Sequence, residues 1–354
     1  MFLKFFERKS KRGLIKILSG ISSPTKLSLE DFRKLDIKKI AVVRQDNRIG
    51  NLILIIPLIK ALKEDYPDCE LHLITGYKYG GILSHVKEVD EIILFHQKRA
   101  AKNPFYYFKF RKKLKKTDYD LVIDAGSMTS LSVNNILLGK AARSKVFVGY
   151  DRKESSSFLN ISVPTIDENS HESYMFQHLA DYLSGKKRNN YPSLSPTNGE
   201  IAEAEEVINK LGIAQEDKII GVNIGGRYDK RWAIDSFLKL IASLQNDGGK
   251  IFVFSGPDEI DLLKKIDDIS RENIFNFNSP PMGLFLGLIS KCSLFITGDT
   301  GPLHLAAALD IPCVQLFLAD NYKRYGYTNS PHVVVEPLNP PYEAVKKAAD
   351  DLLI

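Results

Sequence analysis

Only three cysteines, Cys69, Cys292 and Cys313, occur in 354 residues. They are scattered, odd in number and without metal-ligand spacing, which argues against a disulfide framework and for a reducing compartment, with the cytoplasm as the expected location. Long apolar runs are missing too. No stretch approaches the roughly 20 residues that cross a bilayer, and the amino terminus has no uninterrupted apolar core of signal-peptide length. No G-x-G-x-x-G follows an early strand, where the first candidate loop reads RQDNRIGN, and no G-x-x-x-x-G-K-[ST] occurs. These absences speak against a nicotinamide oxidoreductase and a P-loop NTPase. Solenoid repeats and low-complexity tracts are likewise absent.

What is present is the composition of a globular protein, with 44% apolar and 10% aromatic residues over a length that suits two domains. The net charge of +6 is modest, so the positions of the cations matter more than their sum. Residues 1–22 mix phenylalanine, leucine and isoleucine with lysine and arginine, as a basic amphipathic segment does. A second cluster, KRAAKNPFYYFKFRKKLKKTD, begins at Lys98 and interleaves cations with aromatics. Either could face an anionic partner, or be a solvated helix whose aromatic face packs on its own domain. The charge is local and no recognised nucleic-acid module accompanies it, so no nucleic-acid partner is expected.

Short β-branched runs alternate with helix-like segments from Ile37 onward: IKKIAVVR, CELHLIT, EIILFH and DLVIDAG, then KIIGVNIGG, KIFVFSG, NIFNF, LFITG and CVQLF. Continuous apolar strands separated by helices read as parallel strands buried on both faces, an α/β layer fold. The polar stretch 186–200, rich in lysine, asparagine, serine and proline, reads as a linker. It divides a unit at 37–185 from a second at 201–340, with a helix at 341–354 closing the chain. Two doubly wound units joined by one linker imply a central cleft between them.

In such sheets ligands sit beyond the carboxyl ends of strands, where the next helix offers unpaired N–H groups. ITGDTGPLHLAAAL fits this arrangement, with a strand over 293–297, Thr300 or Gly301 as cap, Pro302 as first helical residue and His304 in the first turn facing the cleft. Such a helix end attracts a phosphate, and His304 would add a donor. Asp299 would repel a phosphate and is expected to orient backbone or a ligand hydroxyl. The plainer alternative is that Asp299 and Thr300 only cap a structural helix. Two neighbouring strand ends add Gly225, Gly226 and Lys230, which suit a diphosphate, and Asp258 and Glu259, carboxylates able to hold a ribose diol. Trp232 reads as a packing residue that positions Lys230. His72, His171 and His178 suggest no chemistry.

These residues resemble the heptosyltransferase family, glycosyltransferase family 9. Its carboxy-terminal signature, similar to D-[ST]-G-x-x-H-L-x-A-A-L, is matched by Asp299, Thr300, Gly301, His304, Leu305, Ala307, Ala308 and Leu309. Its phosphate-binding lysine before a tryptophan is similar to Lys230 and Trp232 in DKRW. The amino-terminal RQDNRIGNLILIIPLIKALKEDYPDCELHLIT also resembles the family's opening strand, glycine loop and helix.

The resemblance implies a GT-B arrangement of two Rossmann-like domains, acceptor-side at 37–185 and nucleotide-sugar-binding at 201–340. It also implies inverting transfer of a heptose from ADP-heptose to a phosphorylated glycolipid of the lipopolysaccharide inner core, with no cofactor and no metal. An anionic membrane surface is the further partner it suggests, on the inner face of the inner membrane. One position departs from the family pattern. Where the family carries Gly-Asp, its proposed base, this chain has Gly50-Asn51 behind Arg48, and an asparagine accepts no proton at neutral pH. Asp46 is the nearest carboxylate in that loop and the candidate substitute. A transferase of a different nucleotide sugar, or a non-catalytic nucleotide-sugar binder, remains the alternative at this point.

Overall fold

The computed structural model describes residues 24–152, 155–226, 231–268, 272–329 and 331–353. The amino-terminal segment 1–22 and Lys230 therefore lie outside the described residues. The chain divides into two compact units, residues 1–191 and 192–354.

The first unit is built on β1 (Lys39–Arg44), β2 (Glu70–Gly76), β3 (Glu91–Phe95), β4 (Leu121–Asp124), β5 (Val146–Tyr150) and β6 (Ile161–Val163), in the order β3-β2-β1-β4-β5-β6. All five pairings are parallel, and Ile40 lies in register with both Leu71 and Leu121. Parallel strands need crossovers, and the long ones here are helical. They include α1 (Ile49–Ile53), α2 (Ile56–Asp65), α3 (Pro104–Lys115) and α4 (Val133–Ala142), and α5 (Glu172–Ser184) follows β6. The apolar runs of β1 and β4 are wholly buried, as strands covered on both faces must be. Gly185 closes α5 in the left-handed region at φ +78°, which a side chain would disfavour.

The second unit repeats the plan with β7 (Ile219–Asn223), β8 (Lys250–Ser255), β9 (Ile274–Asn278), β10 (Leu294–Gly298), β11 (Cys313–Leu316) and β12 (His332–Val334), in the order β12-β11-β10-β7-β8-β9. Its helices include α6 (Asn198–Lys210), α7 (Ile234–Asn246), α8 (Ile260–Asp267), α9 (Met282–Ser290), α10 (Gly301–Ala308) and α11 (Tyr342–Leu353). Phe237, Leu240, Ile241 and Leu244 of α7 and Val345 and Ala349 of α11 share one core with Ile220, Val222, Ile251, Val253, Leu294 and Ile296 of the sheet. Trp232 belongs to that core, donating Nε1–H to the Pro340 carbonyl at 2.8 Å, and is a packing residue.

Both sheets are therefore Rossmann-like, with the order reversing between β1 and β4 in one and between β7 and β10 in the other. Three short strands, β5, β6 and β12, were not among those read from the sequence. The stretch 186–200 is tied down at both ends. Arg188 pairs with Asp65 and Asp181, and Thr197 already caps α6 with a reciprocal bond from Glu200.

Candidate functional site

At each reversal point an otherwise apolar strand ends in a polar residue that links it to its neighbour. In the second unit this is Asn223, the last residue of β7. Its Nδ2 donates to Thr297 Oγ1 on β10 at 3.0 Å and to Thr300 Oγ1 at 3.2 Å, holding the head of α10 to the sheet. Thr300 is the N-cap residue of α10, but its side chain makes no capping bond; the hydroxyl turns back to Thr297 at 3.2 Å and to the Gly298 carbonyl at 3.3 Å. The side chain that ordinarily satisfies the first-turn N–H groups is thus occupied elsewhere, and the positive end of the helix faces outward from the strand ends. The helix begins at Gly301, so Pro302 is its second residue rather than its first.

Two expectations are corrected in this unit. His304 does not face an open site: it is 5% exposed, and its Nδ1 bonds the Tyr327 hydroxyl at 2.9 Å. The cause is the helix itself, since every residue from Leu303 to Ala308 is buried and leaves no solvent face for a histidine. Tyr327 is fixed in turn by Gln315, which exchanges two bonds with its backbone. Glu259 is likewise drawn into the fold rather than held open. Its carboxylate accepts from the Gly256 N–H at 2.8 Å, the Gly226 N–H at 3.4 Å and Arg231 at 3.1 Å, so it holds the two glycine loops together. Arg231 also donates to the Gly226 carbonyl at 2.6 Å. Asp258 is exposed. Asp299 accepts from Asn321 Nδ2 at 2.9 Å. A side chain at Gly225 would press on Asn223 Oδ1 at 3.3 Å.

The first unit is more densely wired. Arg44, the last residue of β1, is 5% exposed; it donates to the Ala125 carbonyl at 2.8 Å and lies 3.4 Å from Asp46. Burial lowers the pKa of its guanidinium, opposed by Asp46 and Glu172. Across the reversal point, Asp124 receives Arg152 at 2.8 Å, Asn135 at 2.7 Å and the Gly126 N–H at 2.9 Å. Asn135 Oδ1 in turn accepts the Gln45 N–H at 3.0 Å, closing the network onto the loop after β1.

Asp46 sits at the centre of that loop. Its Oδ1 accepts the Arg48 N–H at 2.9 Å and Arg48 Nε at 3.2 Å, and its Oδ2 accepts Asn51 Nδ2 at 2.7 Å. Burial opposes its charge, but the bonds from Arg48 and Asn51 and the field of Arg44 outweigh it, so the carboxyl lies below its ordinary pKa. Gly50 is buried in α1, where its carbonyl accepts Leu54 N–H. Gly76 lets the loop close down, since a Cβ there would run into the Asp46 carbonyl. Asn223, Arg231, Asn135, Asp124 and Arg152 were not singled out from the sequence. The signal available for the first was a lone polar residue ending an apolar strand, IIGVN. Among the described residues no group of three His, Cys, Asp or Glu side chains is placed to hold a metal ion, and no helix is long and apolar enough to cross a membrane.

Residues 107–350 match the family model described as glycosyltransferase family 9 (heptosyltransferase). The chain belongs to this family. It is 26% identical over 291 residues to lipopolysaccharide heptosyltransferase 3 of Escherichia coli, a similarity covering 77% of this chain and 82% of that protein. Among solved structures, the glycosyltransferase family 9 protein of Veillonella parvula superposes with a TM-score of 0.82 at 20% identity, covering 90% of this chain and 98% of that one. E. coli heptosyltransferase WaaC with ADP gives 0.72 at 20% identity, covering 89% of this chain and 99% of that one. The fold is that of the family's glycosyltransferases, and the signature Asp299, Thr300, Gly301 lies at the β7/β10 reversal point. This glycosyltransferase thus carries its family motif where an α/β sheet binds ligands.

Proposed function

We propose that this glycosyltransferase moves a heptose from ADP-heptose to a phosphorylated glycolipid acceptor of the lipopolysaccharide inner core, inverting the anomeric carbon, at the cytoplasmic face of the membrane. The observation that carries this reading is the second unit's reversal point. There Asn223 and Thr297 draw away the Thr300 hydroxyl, and the head of α10 is presented at the strand ends. Its N–H groups and dipole suit a departing diphosphate, for which the sequence motif offers Lys230 as the cation. Asp299 and the exposed Asp258 are the carboxylates proposed to meet hydroxyls of the donor, while Glu259 and Arg231 shape the glycine loops. The E. coli relative named lipopolysaccharide heptosyltransferase 3 supports the choice of acceptor, and the E. coli heptosyltransferase WaaC solved with ADP supports the choice of nucleotide.

In the first unit Asp46 is the proposed base. Its depressed pKa keeps it ionised, and in a transition state with oxocarbenium character the acceptor hydroxyl sheds its proton late, when a weak base suffices. The hydroxyl would take the place of one of the donors now on Asp46, with Arg48 and Asn51 the candidates to yield. Calorimetric titration with ADP and UDP tests the donor site. ADP is expected to bind and UDP not, with Lys230→Ala weakening ADP by about 1.5–3 kcal/mol, the value of a charge-assisted hydrogen bond. Binding of neither nucleotide would sink the reading.

A further inference from the structure

The helix α3 has one face that the fold uses and another that it does not. Phe110 and Leu114 are buried, and Tyr106 and Tyr107 are half-buried between them and solvent. Phe110 packs on Phe95 of β3 with ring centroids 4.9 Å apart, and Tyr106 Oη accepts the His96 N–H at 3.1 Å. This side accounts for the aromatic periodicity and anchors the helix.

The opposite face presents Phe105, 76% exposed, and Phe108, 61% exposed. Lys109, Lys112 and Lys116 follow at helical spacing on the same face, all exposed. From Gln97 to Thr117 the chain has nine basic residues, Lys98, Arg99, Lys102, Lys109, Arg111, Lys112, Lys113, Lys115 and Lys116, and no acidic one. Lys113 reaches Glu91 at 2.9 Å and so belongs to the fold. Arg99 lies over the Tyr106 ring, 5.0 Å from its centroid, and belongs to the fold as well. Two phenylalanines in water on one helix face, ringed by lysines, cost solubility without adding to the core.

We propose that the exposed face of α3 docks the enzyme on an anionic lipid surface, with Phe105 and Phe108 entering the headgroup boundary and Lys109, Lys112 and Lys116 meeting lipid phosphates. An interfacial helix has this division: apolar rings on the membrane side and cations able to reach the headgroups around them. The charge selects an anionic leaflet. The two exposed phenylalanines, ringed by lysines on one helix face, have the division of an interfacial helix, which favours a lipid surface. The inference extends the reading of a glycolipid acceptor by giving the chain its own hold on the surface where such an acceptor lies.

The test is flotation of the full chain with phosphatidylcholine–phosphatidylglycerol vesicles and with pure phosphatidylcholine vesicles, without nucleotide. Wild type is expected to float with the anionic vesicles and not with the neutral ones. Phe105→Ser/Phe108→Ser and Lys109→Glu/Lys112→Glu should each weaken partitioning about tenfold or more. All four positions are exposed, so thermal melts should match wild type and a folding defect would be visible as such. Because the amino-terminal segment is retained throughout, the difference reads α3 alone. Equal flotation of wild type and both variants would overturn the proposal, as would binding of an RNA oligomer that the phenylalanine variant loses together with its vesicle binding. ADP titration on the same samples separates the two claims, since the donor site can stand while vesicle binding fails.

Discussion

Asp46, the proposed base, is a carboxylate held by Arg48, Arg44 and Asn51. Because its folded pKa lies below the ordinary value, the stability it lends is fully present above the unfolded pKa of about 4 and is lost as pH falls through the lower folded value. The acidic limb of the kcat/KM profile should therefore lie below the ordinary aspartate value of about 4. Asp46→Asn should lower kcat by about 10²- to 10⁴-fold, the contribution of a positioned base, while the affinity for ADP is unchanged because the proposed diphosphate site lies in the other unit. A wild-type profile with its acidic limb at neutral pH would point to a different base. At this scale the sequence was legible at the Thr300–Gly301 helix head, where the residue types mark a helix start and the structure begins one. It misled where a side chain had a second option. His304 found Tyr327 and a buried helix; Glu259 found two backbone N–H groups and Arg231. No local pattern distinguishes a histidine that meets a ligand from one that meets a tyrosine 23 positions later in the chain.

At the scale of elements, the apolar runs of β1, β2, β4, β7, β8 and β10 announced themselves, because a strand buried on both faces has no polar alternation to disguise it. The strands β6 and β12 are three residues each, too short for periodicity to register. Helix contacts were also beyond the sequence, and one of them is sharply testable. Gly287 of α9 lies against α6, where a Cβ would run into the Glu200 carbonyl and meet Ala204 Cβ at 2.9 Å. Backbone cannot yield as a flexible side chain does, so Gly287→Ala should destabilise the protein by about 1–3 kcal/mol despite its better helix propensity. Denaturant unfolding measures this directly. A neutral or stabilising result would mean that α6 and α9 do not pack this closely.

At the scale of the whole molecule, the chain uses one sheet order twice and places different chemistry at each reversal point: a carboxylate ringed by cations in the first unit, and a glycine-framed helix head in the second. The duplication was legible in the sequence as alternating runs on either side of a polar stretch. The division of labour follows from which residues end β1 and β7, Arg44 and Asn223, and from the loops that follow them. Turnover joins the two halves in one measurement. The protein would be incubated with ADP-heptose, with or without a heptose-deficient lipopolysaccharide core as acceptor, while released ADP and the mass of the glycolipid are followed. The account predicts ADP release only when donor and acceptor are both present, with the acceptor gaining the mass of one heptose. Release that ignores the acceptor, or an acceptor that gains sugar from a UDP donor and not from ADP-heptose, would contradict it.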